Sequence, residues 1–358
     1  MIEKKLYQVG GCVRDKLLEI RISDIDWVAV GYEENDFKHL DKIGKDFPIF
    51  LNENNEEIAL ARTERKIGKG YNDFSTSIKN VTLEEDLRRR DLTINSIAFD
   101  NTTNKYIDPY DGIQDIKDKI LRHTSDAFKE DPLRVLRLAR FKAKFPDFIV
   151  ASETKEFVKY MKKELRFLQP DRVYKEIEKV LELDHSEVFF ETLLDLNVLD
   201  VIFPSIYNQN HNIFLESMNI LKILKNESKL LKLTAIYHKI NNPKIDIKLP
   251  IKLQNKVLFL IKNNSIITNL QNMSEDNIAS FFESYKKNKD LFENQLIFAK
   301  VSLHIIDEKI LLELFDKISQ YSPISWIQTQ KHRPTGEQIK KHIHSININY
   351  VNILYTNE

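Results

Sequence analysis

Gly10 and Gly11 end a short apolar run, Leu6 to Val9, and Val13 to Ile20 then carries helical spacing. The opening of the chain therefore reads as strand, tight turn and helix. Ser23-Asp24-Ile25-Asp26 follows and leads into Trp27-Val28-Ala29-Val30, which reads as the next strand. A glycine pair at such a turn lets backbone amides approach a ligand closely, and a helix N-terminus behind it favours an anion. Arg14, in the first helical turn, adds a fixed positive charge suited to phosphate. Side chains two apart on a strand share a face, about 6 to 7 Å apart at Cα, where two carboxylates can share divalent ions. Asp24 and Asp26 have that spacing, at the start of a strand that continues into a core. A lone Gly-Gly is an ordinary turn and a lone Asp-x-Asp an ordinary solvated strand end; together, with the arginine and the apolar strand, they point to chemistry.

With 358 residues and 42.2 kDa the chain exceeds one compact core, so two or more domains are expected, and 42% hydrophobic content supports a folded protein. No apolar run reaches the length of a membrane span, and the N-terminus enters a strand directly, so a soluble cytoplasmic protein is expected. Cys12 is the single cysteine, which excludes an intrachain disulfide and a thiolate zinc site; beside the glycines it reads as a small buried filler. Lys plus Arg and Asp plus Glu both total 54, so no global basic signal marks a nucleic-acid partner. The distribution says more. Thirteen of fourteen arginines lie at or before Arg172 and seven of eight glycines at or before Gly112. This separates a glycine-bearing α/β part from a long Lys-, Asn- and Ile-rich region without tight turns, which suggests helices.

Between these landmarks the pattern predicts a helix over Asn35 to Ile43, strands over Phe47 to Leu51 and Glu57 to Arg62, and a charged, glycine-hinged surface loop over Thr63 to Tyr71. Glu84 to Ala98 sets Arg88, Arg89, Arg90 and Asp91 ahead of an expected apolar helix, and Asp108 to Gly112 is a turn. In Glu130 to Phe141, Asp131 caps, Pro132 occupies the first helical turn, and 133, 136, 139 and 143 form an apolar stripe. Asp131, Arg134 and Arg137 make a polar stripe beside it. Amphipathic helices then follow over Arg172 to Leu181, Val188 to Leu199, Ile213 to Leu224, Lys229 to Ile240, Leu253 to Ile261, Asn277 to Tyr285 and Ile310 to Ile318. Thr335 to Ile343 begins like a capping box.

The glycine pair, Asp24-x-Asp26, Arg90-Asp91-Leu92-Thr93-Ile94-Asn95 and the Glu130-Asp131 helix, in that order, resemble the polymerase-beta-like nucleotidyltransferases, in particular the bacterial class II tRNA nucleotidyltransferases (CCA-adding enzymes) and their poly(A) polymerase relatives. The resemblance is ordered through about Lys179 and faint beyond. It implies an α+β protein: a catalytic head with a mixed sheet (1–125), a helical neck (126–184), a helical body (185–262) and a helical, tRNA-binding tail (263–358). It implies addition of CCA to the 3′ end of tRNA from CTP and ATP, without a template, with release of pyrophosphate. Asp24 and Asp26 would hold two Mg²⁺ ions, one activating the 3′-hydroxyl and one steadying the pyrophosphate. Gly11, Arg14, Arg90 and Arg140 would bind phosphates, Asp91 the ribose, and Asp131, Arg134 and Arg137 the base. The loop after Arg62 would take part in the switch to the final A, and the tail in phosphate contact. His211 and Tyr237-His238-Lys239 fall where some relatives carry a His-Asp metal phosphohydrolase; with Lys239 in place of the aspartate, the region is expected to be a scaffold. No membrane or protein partner is implied. A CC-adding or A-adding enzyme, a poly(A) polymerase, and a catalytically silent RNA-binding module stay open as alternatives.

Overall fold

The computed structural model of the chain describes residues 2–43, 48–66, 74–240, 245–303 and 307–354. The chain opens with β1 (Lys5–Val9), α1 (Gly11–Leu17) and β2 (Asp26–Val30), then β3 (Asp41–Ile43), β4 (Ile49–Leu51) and β5 (Glu57–Leu60). A hairpin of β6 (Thr63–Lys66) and β7 (Phe74–Ser77), α2 (Leu83–Arg88), β8 (Ala98–Asp100), β9 (Lys105–Ile107) and α3 (Gly112–Lys117) complete the first part. Among the described residues seven strands form one sheet in the order β3-β4-β5-β2-β1-β8-β9. β2 and β5 run parallel and the other neighbours antiparallel, so the sheet is mixed, as expected.

Side-chain alternation explains how the sheet is buried. Val28 and Val30 pack on one face with Val9, Leu87 and Ala98, whereas Ala29 packs on the other with Phe37, Phe50, Ile58 and Leu60. Asp26 begins the same file as Val28 and Val30, so the strand whose apolar end anchors a core carries a carboxylate at its mouth.

Next come β10 (Ile120–Leu121), α4 (Leu133–Lys144), β11 (Ile149–Val150), α5 (Ser152–Met161), α6 (Pro170–Leu181), α7 (Ser186–Asp195), α8 (Leu199–Ile202) and α9 (Pro204–Tyr207). The predicted stripe of α4, Leu133, Leu136, Ala139 and Ala143, is buried, and so are Val135, Leu138 and Phe141, because α6 and α7 pack on the same helix. The all-helical remainder consists of α10 (His211–Ile223), α11 (Lys229–Tyr237), α12 (Ile251–Ile267), α13 (Glu275–Ser284), α14 (Lys289–Leu303), α15 (Glu308–Gln320), α16 (Ile324–Thr329) and α17 (Gly336–Leu354). Its main core gathers Phe281, Phe282, Tyr285, Phe292 and Phe315, with the Phe292 and Phe315 rings stacked at 4.4 Å. α17 begins with the expected capping box: Gln338 N donates to Thr335 Oγ1 at 3.3 Å, and Thr335 N to Gln338 Oε1 at 2.8 Å. No described helix is long and apolar enough to cross a membrane.

The chain divides into two compact units, Met1–Asn208 with Asp246–Lys248, and Gln209–Ile245 with Leu249–Glu358. The expected head and neck thus share one unit, which also takes in α7 to α9 from the expected body, since α7 packs on α4.

Three local expectations are corrected. Asn35 to Ile43 is not a helix: a 3₁₀ turn, Glu34–Phe37, is followed by edge strand β3, and the three-residue spacing of Phe37, Leu40 and Ile43 served other contacts, Phe37 stacking on Phe50 at 5.0 Å. The apolar stretch after Asp91 is a 3₁₀ turn, Thr93–Asn95, leading into β8. Thr93 N bonds to Arg122 O at 2.9 Å, while Asn95 N and Ser96 N bond three residues back, to Leu92 O and Thr93 O, so the turn closes without an α-helical ladder. Thr63 to Lys66 pairs with Phe74 to Ser77 as a hairpin, while the expected loop residues 67–71, like 47 at the start of the third expected strand, lie outside the described residues.

Candidate active site

The turn after β1 is built as the glycine pair predicts. Gly10 has φ of 75°, the left-handed region that L side chains rarely adopt. A Cβ there would lie 3.0 Å from Arg90 Nη1 and 4.0 Å from Asp26 Oδ2, so the absence of a side chain brings a guanidinium and a carboxylate to the same stretch of backbone. Asp26 is the first residue of β2, and Asp24 lies two residues ahead of the ladder, exposed and outside the strand.

Strand register adds a carboxylate that the linear pattern does not reveal. In the parallel β2–β5 pair, Asp26 sits beside Glu57 and Val28 beside Ala59, so Asp26 and Glu57 project from one face of adjacent strands, about 4.8 Å apart in backbone spacing. Burial, then Glu57, and also Asp24, push the Asp26 carboxyl above the usual carboxylate range, with Arg90 acting against them. Among the described residues nothing donates a hydrogen bond to that carboxylate. A half-buried acid crowded by two like charges and left without a donor suits a divalent cation. Magnesium is commonly held by one or two carboxylates and completed by water and substrate phosphates. That matches the residues present, since among those described no group of three or more His, Cys, Asp and Glu side chains is gathered closely enough to hold a metal by itself.

Arg90 is oriented from behind by Asp86, which is fully buried. Asp86 Oδ2 accepts from Arg90 Nη2 at 3.1 Å, and Oδ1 accepts from Arg89 Nη2 at 2.7 Å and from Arg62 N at 3.2 Å. Burial opposes its charge, but Arg89 and Arg90 prevail and hold the carboxyl below its usual range. This residue escaped the sequence reading although a signal was there: an acid three and four residues before two arginines on one helical turn.

Arg14 is placed differently from the expectation. It is 4% exposed, bonded to Asp15 Oδ1 through Nε at 2.8 Å and to Asn95 Oδ1 through Nη1 at 2.5 Å, and it lies over the rings of Phe141 and Phe145. Its guanidinium lies 3.6 Å from where a Cβ on Gly11 would stand, so it backs the glycine turn from inside the protein and does not face solvent. Asn95 passes the contact on, donating from Nδ2 to Asp91 Oδ1 at 3.0 Å. Asp91 Oδ1 also accepts from Leu92 N at 2.9 Å, and Oδ2 accepts from Arg137 Nε at 2.7 Å. Burial works against the charge on Asp91, yet Arg137 and Asn95 hold its carboxyl far below the ordinary range. Three of the roughly four acceptor positions of that carboxylate are used within the protein.

At the start of α4 the side chains of the expected acid and base each find partners from other elements. Asp131 Oδ1 accepts from Leu133 N at 3.1 Å, as a cap does, and its carboxylate pairs with Arg172 of α6 at 2.8 Å. Arg134, 9% exposed, donates to the carbonyls of Ala127, at 2.6 Å, and of Arg89. Arg140, expected at a phosphate, pairs instead with the buried Glu176 of α6 at 2.7 Å. A helix buried on most sides forces each of its charges to find a partner nearby, and sequence spacing along one helix cannot show which. Gly10, Asp26, Arg90 and Glu57 are thus brought together at one mouth, while Arg14, Asp91 and Arg134 form a buried polar frame behind it, and the partly exposed Arg137 and Arg140 are tied down by Asp91 and Glu176.

Elsewhere, Cys12 is buried, its thiol pushed up by burial, in keeping with a filler role. Asp108 receives the amides of Gly112 and Ile113, both at 2.8 Å, so that turn is structural. In the helical unit His238 is buried with Nδ1 2.8 Å from Ala235 O, Lys239 pairs with Glu216 at 2.7 Å, and His211 opens α10 at the surface.

Residues 6–122 match the poly A polymerase head domain, and residues 147–209 match a domain described as the probable RNA and SrmB-binding site of polymerase A. Among solved structures, the apo form II of a CCA-adding enzyme is 22% identical with a TM-score of 0.71, covering 97% of this chain and 87% of that one. The Thermotoga maritima CCA-adding enzyme complexed with tRNA is 21% identical, TM-score 0.67, covering 98% and 87%. The Bacillus stearothermophilus CCA-adding enzyme in complex with CTP is 18% identical, TM-score 0.67, covering 99% and 89%. At these identities the likeness establishes a shared fold over nearly the whole chain.

Proposed function

We propose, from the match of residues 6–122 to the poly A polymerase head domain, that the chain adds nucleotides to the 3′ end of tRNA, transferring CMP and AMP from CTP and ATP to complete CCA. The observation that carries the reading is Asp26: a carboxylate at the mouth of a buried strand, crowded by Glu57 and Asp24, facing the glycine turn and Arg90. Asp24 and Asp26 are the residues that would hold Mg²⁺. When bound, the metal makes the attacking hydroxyl more acidic and offsets charge on the phosphates and on the departing pyrophosphate. Arg90, aimed by Asp86, supplies a protein cation to the triphosphate beside Gly10 and Gly11. Asp91 has about one acceptor position left for a ribose hydroxyl. The base is selected by the α4 surface. Cytosine and adenine both present an amine donor beside a ring acceptor, which a carboxylate and a guanidinium complement; uracil and guanine present a carbonyl there and are repelled. Asp131 supplies the acceptor, and since Arg172 is its partner in the structure, Arg172 joins Arg134 and Arg137 as a candidate donor. The second matched domain and the relative solved with tRNA support RNA as the acceptor.

Full CCA addition is favoured over CC-only or A-only addition by the charged segment after Arg62, part of which forms the β6–β7 hairpin. The test is direct. Purified protein is incubated with tRNA lacking its 3′ end and with CTP, ATP or both, and the products are sequenced. CC with CTP alone and CCA with both is the expected result; CC with both, or a run of A residues, selects one of the alternatives.

A further inference from the structure

α17 is anchored unevenly. Among its described residues only Asn347 and Val351 are buried, and Ile348, Tyr350 and Leu354 pack against the core beside Val351, so the apolar hold lies in the C-terminal half of the helix. The first half, 336–346, buries no side chain. Among the described residues, two histidines supply the hydrogen bonds that tie this half to the rest of the helical unit. His342 Nε2 lies 2.8 Å from Tyr321 Oη, with the Trp326 ring stacked on the imidazole at 4.0 Å. His344 faces α13 with both ring nitrogens on carboxylates: Nδ1 is 2.8 Å from Glu283 Oε1, and Nε2 is 2.9 Å from Asp276 Oδ1. A carboxylate only accepts, and a neutral imidazole has one donor nitrogen and one acceptor, so both bonds form together only in the imidazolium. Asn347 Nδ2, one turn on, donates to the same Glu283 oxygen at 2.7 Å and holds it in place. Other charges of the packed segments are engaged elsewhere: Lys341 with Glu337 at 2.9 Å, Lys287 with Tyr321 O at 3.1 Å, Lys289 with Asp316 at 3.0 Å, and Lys317 with Glu313 at 3.6 Å. Lys340, one turn before His344, and Lys286, after α13, are exposed, and Glu275 stands beside Asp276 in the first turn of α13. The bond to Asp276, with Glu283 beside it, pushes the pKa of His344 up, partial burial acting against them.

We propose that the proton on His344 is a latch: it docks the first half of α17 on α13, and its loss releases that half while Val351 and its neighbours keep the second half in place. His344 titrates near about 6.5 when free and higher when docked, so the latch is closed below about 6.5 and opens as pH rises through the raised value. For each unit of that rise, full deprotonation lowers the docking equilibrium about tenfold. His342 does not share this dependence, because a tyrosine hydroxyl both donates and accepts and so satisfies either form of its imidazole. The released turns carry Lys340 and Lys341, so a single proton governs how this basic stretch is held. The latch lies outside the candidate active site and does not depend on the nucleotidyl-transfer reading.

Two measurements on the full chain test it. Proton NMR of the histidine rings, with the His344 resonance assigned by its loss in His344→Gln, gives the pKa. Hydrogen exchange of the 336–346 amides, corrected for the intrinsic pH dependence of exchange, gives the docking equilibrium. Between about pH 6 and about pH 9 the wild-type segment is expected to lose protection by the factor that the measured pKa rise dictates, about tenfold per unit, while 347–354 keeps its protection. Asp276→Asn and Glu283→Gln should each lower the His344 pKa and flatten the exchange profile. His344→Gln should leave 336–346 weakly protected at both ends of the range. His344→Lys, which keeps a cation throughout, should leave it protected at both. Thermal unfolding verifies the fold of each variant, and the two wild-type measurements stand without any variant's folding beyond the assignment. A His344 pKa at or below the ordinary histidine value, wild-type protection that does not change with pH, or the wild-type profile retained in His344→Gln would each overturn the proposal.

Discussion

Glu57 reaches the mouth of the candidate site through strand pairing and not through sequence proximity, and its charge acts on Asp26. Asp26 must be ionised to hold a cation, and its carboxyl is raised above the usual range, so activity is lost as pH falls through a value higher than an ordinary aspartate's. Removing the neighbouring like charge lowers that value. Glu57→Gln is therefore expected to move the acid limb of the kcat/KM profile to lower pH and, by weakening the local field, to raise the Mg²⁺ concentration needed for half-maximal rate several-fold. A limb that stays in place shows that Glu57 does not act on Asp26. Asp86 makes a second case. Asp86→Ala leaves Arg89 and Arg90 without their buried acceptor, at an expected cost of about 1 to 3 kcal/mol in chemical denaturation, moderated because both arginines still reach water. It also frees Arg90 from its orientation, so KM for the nucleotide should rise more than kcat falls. Asp24 and Asp26 are legible in the sequence because their spacing is local. Asp86 could have been read from its i+3 and i+4 arginines. Glu57 could not, because register between parallel strands is fixed by the fold.

At the scale of elements, α4 shows both the reach and the limit of periodicity. Its apolar stripe, its start at Asp131-Pro132 and the buried course of the helix follow from spacing and capping chemistry, and the structure has all three. Which charge meets which does not follow, because Arg172 and Glu176 arrive from α6 and Asp91 from the segment after α2. The 3₁₀ turns at Glu34–Phe37 and Thr93–Asn95 were also beyond reach, since their apolar residues are spaced like helices but each turn closes on carbonyls three residues back and gives way to a strand. For base choice, Asp131→Ala removes the acceptor for an exocyclic amine and the repulsion of a carbonyl. The ratio of kcat/KM for CTP to that for UTP should then fall about tenfold to a hundredfold, as expected for one charge-assisted hydrogen bond. The cap and the Arg172 pair are lost as well, so stability should drop by about 1 kcal/mol, and the ratio within one variant is the informative quantity. If CTP and UTP fall together, Asp131 acts as a cap and the base is read elsewhere.

For the whole molecule, the division between a glycine- and arginine-bearing α/β part and a helical remainder was visible as a shift in composition, and the sheet stands where that shift placed it. The position of the unit boundary was not visible, because α7 joins the first unit by packing on α4, a contact that amphipathic helices of similar composition do not advertise. Helix α14 was missed for the same reason: buried residues on several sides leave no single stripe to read. The central claim is that this fold places Asp26 to hold a metal ion for nucleotidyl transfer, and it is tested by Asp26→Ala with Asp24→Ala beside it. Both are assayed for CMP and AMP addition to tRNA lacking its 3′ end, under Mg²⁺, with thermal unfolding as the control for folding. The account predicts unfolding temperatures close to wild type and loss of addition by at least about a thousandfold in each variant. Turnover within a few-fold of wild type in both, with the fold intact, would contradict it.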